Sequence, residues 1–142
     1  MKKILIVLCL GLVVGCGTKS EKVDNGIDDF GEYFSKGLEA NDNGEFEIAI
    51  DCFTKCINLK PNNKKRLSNA YYNLGCTLIK VDKKNESLDN LKKAIELNPD
   101  FASAYRNIGI LKEELGIPFC EDFKKGCELG NEGCCIYFEN DC

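Results

Sequence analysis

Between Phe46 and Leu59 the apolar side chains Ile48, Ala49, Cys52, Phe53, Cys56, Ile57 and Leu59 recur at steps of three and four residues. That spacing gathers them on one stripe of a 3.6-residue turn, so the segment reads as an amphipathic α-helix with one face in a core. The period breaks at Asn41 to Gly44 and again at Val81 to Lys84, which separates helices. Pro61, Pro99 and Pro118 stand where a helix has just ended or is about to begin, places that tolerate a residue without an amide hydrogen. Asp100, directly after Pro99, is placed to cap the next helix by accepting backbone N–H bonds. At the start of the chain the pattern is different: Lys2 and Lys3 precede an apolar run from Ile4 to Val14. That run is about half the length a membrane-spanning helix needs and reads instead as an export signal.

The body repeats itself. Phe30 to Pro61 aligns with Ser68 to Pro99, and a third copy begins at Ala102; Tyr71 and Tyr105 are 34 residues apart, as are Gly75 and Gly109. A period of that length is one helix-turn-helix unit. Glycine at 37, 75 and 109 falls inside predicted helices, where it costs about 1 kcal/mol against alanine. Close helix contact is the expected reason for it.

These positions resemble the tetratricopeptide repeat family. Tyr33, Gly37, Phe46, Ala49, Phe53, Cys56 and Pro61 fill its pattern in the first copy, and Tyr71, Leu74, Gly75, Ser87, Leu91, Ala94 and Pro99 in the second. The third supplies Tyr105, Ile108, Gly109 and then Cys120. Lys36 and Lys84 depart from the pattern, and Pro61 to Pro99 is four residues longer than the period, enough to add a helical turn near "NNKKR". The expected fold is all-α, a short solenoid with repeats at about 30–63, 68–101 and 102–129 and a C-terminal capping helix at 131–140.

Five of the ten cysteines lie in the last 23 residues. "PFCEDFKKGCELG" reads as a helix stopped by Gly130, and Asn131 can cap a second, "EGCCIYFENDC". Folded antiparallel about residue 131, these helices set Cys127 opposite Cys135 and Cys120 opposite Cys142, since each pair is equidistant from the turn. Two disulfides are therefore expected at the end of the stack, where a terminal repeat lacks a neighbour. The "GCELGNEGCC" run also resembles the cysteine-rich SEL-type repeats, whose pairing implies the same Cys127–Cys135 bridge. Cys52, Cys56, Cys76 and Cys134 stay unassigned, with a Cys56–Cys76 bridge and unpaired core thiols both open. No CxxC pair occurs, so a zinc site is not expected.

Val13-Val14-Gly15-Cys16 resembles the bacterial lipobox, which implies removal of residues 1–15 and acylation of Cys16. Acyl chains hold a protein on a membrane without a spanning helix. Residues 16–29, polar and glycine-containing, then read as the lipidated cysteine and a flexible tether to the folded body at 30–142. The expected place is the bacterial cell envelope, in the outer membrane, because Gly17 is not the aspartate that retains some lipoproteins at the inner one. Losing Lys2 and Lys3 takes the net charge from −4 to −6, an acidity that argues against nucleic-acid binding.

With no histidine, the Ser-His and Cys-His arrangements are excluded, and no glycine-rich phosphate loop or SxxK pair occurs. No cofactor is expected. Glu113, Glu114 and Asp122 read as solvated helix faces. The family resemblance implies a groove lined by the first helix of each repeat, here Phe34, Leu38, Asn69, Tyr72, Asn73, Arg106, Asn107 and Ile110. Aromatics beside amides suit a peptide or partner helix, although Phe34 and Tyr72 can equally pack between repeats. Of the lysines, arginine and asparagines by which some members of the family clamp a carboxylate, only Asn73 is present. The reading is a non-catalytic interaction module on a membrane, with a SEL-like envelope hydrolase or a thiol-redox protein using Cys134 and Cys135 as the alternative.

Overall fold

A computed structural model of the chain describes residues 29–142. The segment read as an export signal (1–15), Cys16 and residues 17–28 of the expected tether lie outside them. The described residues form seven helices: α1 (Asp29–Asp42), α2 (Phe46–Asn58), α3 (Lys64–Lys80), α4 (Lys84–Leu97), α5 (Ala102–Glu114), α6 (Cys120–Glu128) and α7 (Glu132–Asp141). Each helix packs on the next in chain order, and α1 also reaches α3. A stack built from neighbour contacts is a solenoid. Among the described residues, no helix is long and apolar enough to cross a membrane.

The mid-helix glycines explain how each pair closes. A Cβ placed on Gly37 would lie 2.8 Å from the Phe53 ring, one on Gly75 2.8 Å from Leu91, and one on Gly109 2.9 Å from the Phe123 ring. Phe53, Leu91 and Phe123 are fully buried. Burying such a side chain contributes about 1.5–3 kcal/mol, which more than offsets the helical cost of glycine. In the third pair the residue facing glycine is thus Phe123. Cys120, which the sequence pattern offered as the next repeat position, opens α6 and joins a disulfide instead.

The inserted residues lengthen α3 to 17 residues against 13 in α5, one extra turn. Asn63 caps its start by accepting from the Arg66 amide at 3.1 Å. Asp100 does not cap α5. The residue at that position is Phe101, without a side-chain cap, and its ring packs on Tyr72 with centroids 4.4 Å apart. Seating that ring fixes where α5 begins, so apolar packing overrides the capping preference.

Buried hydroxyls bond across the helices: Ser87 donates to the Gly75 carbonyl at 2.7 Å and Ser68 to that of Ala94 at 2.8 Å. Cys56 and Cys52 are buried thiols of the first pair, and the Cys56 sulfur donates to the Phe30 carbonyl. Cys56 and Cys76 are not bridged.

At the far end Cys127 is bonded to Cys135 and Cys120 to Cys142, with Cα separations of 4.6 and 5.7 Å. Asn131 caps α7 by accepting from the Cys134 amide at 3.1 Å. The Tyr137 ring stacks on Phe123 at 4.4 Å, and Cys134 fills the space beside Gly126. Beyond Cys134, α7 has no fully buried side chain, and Ile136 is 60% exposed. So little apolar burial cannot hold ten residues in place, and the two crosslinks do so by restricting the unfolded chain. Reduction, or replacement of all four cysteines by serine, should lower stability by about 2–4 kcal/mol. Urea midpoints with and without dithiothreitol check this; identical midpoints would mean that packing alone holds α7.

Candidate functional site

The first helices of the pairs, α1, α3 and α5, are joined directly by side chains. The Thr77 hydroxyl of α3 shares its one proton between the Asn41 amide oxygen of α1 at 3.1 Å and the Asn73 carbonyl of its own helix at 2.9 Å. Asn107 of α5 donates to the Tyr72 hydroxyl at 3.4 Å and to the Cys76 sulfur at 3.3 Å. These bonds tie the three helices into one layer. The residues expected to line a groove all lie on these three helices.

Their surroundings differ. Leu38 is 39% exposed, Arg106 is exposed, and Ile110 and Asn107 are half-buried. Phe34 is mainly structural: its ring stacks on Phe30 and meets Phe53 edge-on, both at 5.7 Å. Tyr72 shares the two roles, with its ring on Phe101 and its hydroxyl toward Asn107. Asn73 spends its amide on the Asn69 carbonyl at 2.8 Å, which leaves less of it for a ligand. Arg106 leans over the first turn of α7, its Nε 2.9 Å from where a Gly133 Cβ would be.

Sequence reasoning passed over Cys76 and Asn41. Cys76 follows Gly75 just as Leu38 follows Gly37 and Ile110 follows Gly109, so the repeat register alone points to it. Its thiol is absorbed in a small polar cluster with Tyr72 and Asn107.

The electrostatics of this face favour neutral groups. Burial pushes the Tyr72 phenol up to about 12, with the adjacent Cys76 thiol adding to the effect. Burial also raises the Cys76 thiol, against the opposing hydrogen bonds from Tyr72 and Asn107. Cys134 is raised by burial too, with the Arg106 charge opposing. The thiolate is the nucleophilic form, so all these shifts move the thiols away from reactivity at neutral pH. Among the described residues, no group of three or more Cys, Asp or Glu side chains is placed to hold a metal ion. Amide, aromatic and aliphatic surface, with the exposed Arg106 guanidinium beside it, is what the layer offers.

Residues 33–63 and 68–101 each match the tetratricopeptide repeat. Over 74 residues, 52% of this chain, the sequence is 34% identical to the protein STIP1 homolog of Dictyostelium discoideum, of which it covers 12%. The chain spans less than half the length of the curated relatives it matches. Among solved structures it resembles the first TPR of Spaghetti (RPAP3) bound to the HSP90 peptide SRMEEVD, at TM-score 0.67 and 20% identity over 80% of this chain and 92% of that one. It likewise resembles the second TPR domain of human RPAP3 in complex with the HSP70 peptide SGPTIEEVD, at TM-score 0.69 and 22% identity over 78% and 92%. At such identities the likeness is one of fold.

The raised Tyr72 phenol has a consequence for stability. The unfolded phenol releases its proton near pH 10, while the folded one holds it to about 12. The folded state therefore binds more protons across that window, and stability present below pH 10 is lost as pH rises toward 12. Tyr72→Phe should flatten this part of the decline. Urea midpoints of both chains at pH 9, 10 and 11 check it, and parallel curves would contradict the burial of the hydroxyl.

Proposed function

Because residues 33–63 and 68–101 are tetratricopeptide repeats, we propose that the chain is a non-catalytic protein–protein interaction module, held at a bacterial membrane as a lipoprotein acylated on Cys16. The observation that carries the interaction reading is the joined layer of α1, α3 and α5. There Leu38 is exposed and Tyr72, Cys76, Asn107 and Ile110 are only partly buried. A peptide or helix laid across that face would gain apolar contact from Leu38 and Ile110 and can donate to the amide oxygen of Asn107, whose NH2 is engaged.

Two neighbours of the same architecture are bound to peptides, which supports the groove as the binding face. The partner here is of a different kind. At the defined places from which some members of the family clamp a terminal carboxylate, this face has Asn73 but no lysine or arginine, and the Asn73 amide is already engaged. An internal segment with apolar side chains suits it better.

Anchoring is supported by Lys2 and Lys3, the apolar run to Val14 and the Val13–Cys16 box, which follow one another in the order acylation requires. Twelve residues then separate Cys16 from Asp29, and the thirteen steps between the two span at most roughly 45 Å. The envelope, and within it the outer membrane, is the proposed location.

A photo-crosslinking amino acid at Leu38 or Ile110, in cells making the full chain, should give discrete crosslinked species, and one at Lys92 on α4 should not. Crosslinks equally frequent at all three places, or none at Leu38 and Ile110, would overturn the groove. Intact mass of the membrane-extracted protein tests the anchor: a chain starting at Cys16 with added acyl mass is expected, and an unmodified amino terminus contradicts it.

A further inference from the structure

From Asp51 to Asp82 the chain carries no intervening acidic residue but six basic ones: Lys55, Lys60, Lys64, Lys65, Arg66 and Lys80. In a chain of 23 acidic and 19 basic residues that stretch is the exception. Four of the six lie in "KPNNKKR", the turn from α2 into the lengthened first turn of α3.

This turn sits beside the start of α1. Asp29, Phe30, Leu59 and Pro61 line one shallow hollow of about 290 Å³. The Arg66 guanidinium lies over the Phe30 ring, 4.3 Å from its centroid. Lys60, Lys64 and Lys65 are exposed, and none is in an ion pair with another described residue. Leu59, which lines the hollow and precedes Lys60, is 43% exposed. The carboxylates at the start of α1 are those of Asp29 and Glu32. The edge where the chain enters the folded body therefore combines exposed lysines with an exposed leucine.

We infer that Lys60, Lys64, Lys65 and Leu59 form a docking edge for an anionic lipid surface. The inference rests on the anchoring reading for the side from which the membrane approaches. Clustered lysines close to a tether attract anionic headgroups, and an apolar side chain among them can enter the headgroup region. The remaining acidic body is repelled by the same surface, so the attraction is confined to this edge. Docking there turns the starts of α1 and α3 toward the bilayer.

The test uses the full-length chain on vesicles of neutral phosphatidylcholine and of phosphatidylcholine with about one-third phosphatidylglycerol, a range that gives a negative surface potential. Exposed lysines are acetylated briefly and each is quantified by mass spectrometry. On anionic vesicles Lys60, Lys64 and Lys65 should react about fivefold more slowly than on neutral ones, an effect that disappears near 0.5 M salt. Lys92, Lys93, Lys124 and Lys125 should be unchanged. In the Lys64→Gln/Lys65→Gln chain, Lys60 should lose about half of its protection.

Equal reactivity on both vesicles, or protection of all lysines alike, would overturn the inference. So would the same protection by soluble polyglutamate with neutral vesicles, which would assign the edge to an acidic protein. The chain is held to the vesicle by its acyl group or by its apolar leader. A missing acyl mass therefore refutes the anchor by itself, while the lysine pattern judges the edge.

Discussion

The contact of a glycine backbone with a large buried side chain is the constraint on which this architecture depends. Gly37 against Phe53, Gly75 against Leu91 and Gly109 against Phe123 let each helix pair close. A methyl group at any of the three would occupy space already filled. Because the pairs close in the same way, they stack with a common register. The common register is what brings α1, α3 and α5 within side-chain reach of one another.

A stack of this kind is weakest at its ends. At the C-terminal end the third pair has α7 as its neighbour, a helix with one fully buried side chain, and two disulfides do what packing elsewhere does. Within the crosslinked segment Tyr137 donates to Glu113 of α5 at 3.0 Å. Between α5 and α6 the Lys112–Asp122 pair, 2.6 Å apart and mostly shielded from solvent, adds a polar lock. The middle of the stack needs no such device, because apolar residues of α3, α4 and α5 cover one another there.

Much of this was legible in the sequence because its signals are periodic. The glycines, the closing prolines and the cysteines equidistant from residue 131 are fixed by number along the chain, and number along a helix is geometry. What escaped depended on contacts between distant residues. The capping role expected of Asp100 gave way to the ring of Phe101 on Tyr72, a packing choice made by α3 and invisible from the local sequence. Phe34 reads as a groove residue by register, yet its ring is occupied by Phe30 and Phe53. Cys76 was passed over because thiols were sorted as core or crosslink, while its position in the repeat puts it beside Asn107.

The closure of the helix pairs is tested most directly on the first one, where an added Cβ at Gly37 meets the Phe53 ring at 2.8 to 3.0 Å. Urea unfolding of the parent chain, Gly37→Ala, Phe53→Leu and the double variant forms a complete cycle. Gly37→Ala alone should cost about 1–3 kcal/mol through overpacking. With the smaller Phe53→Leu side chain opposite, the same substitution should be neutral or stabilising by up to about 1 kcal/mol, since alanine is the better helix former. An equal loss in both backgrounds would show that the glycine is not there for the ring, and the account of the stack would fail with it.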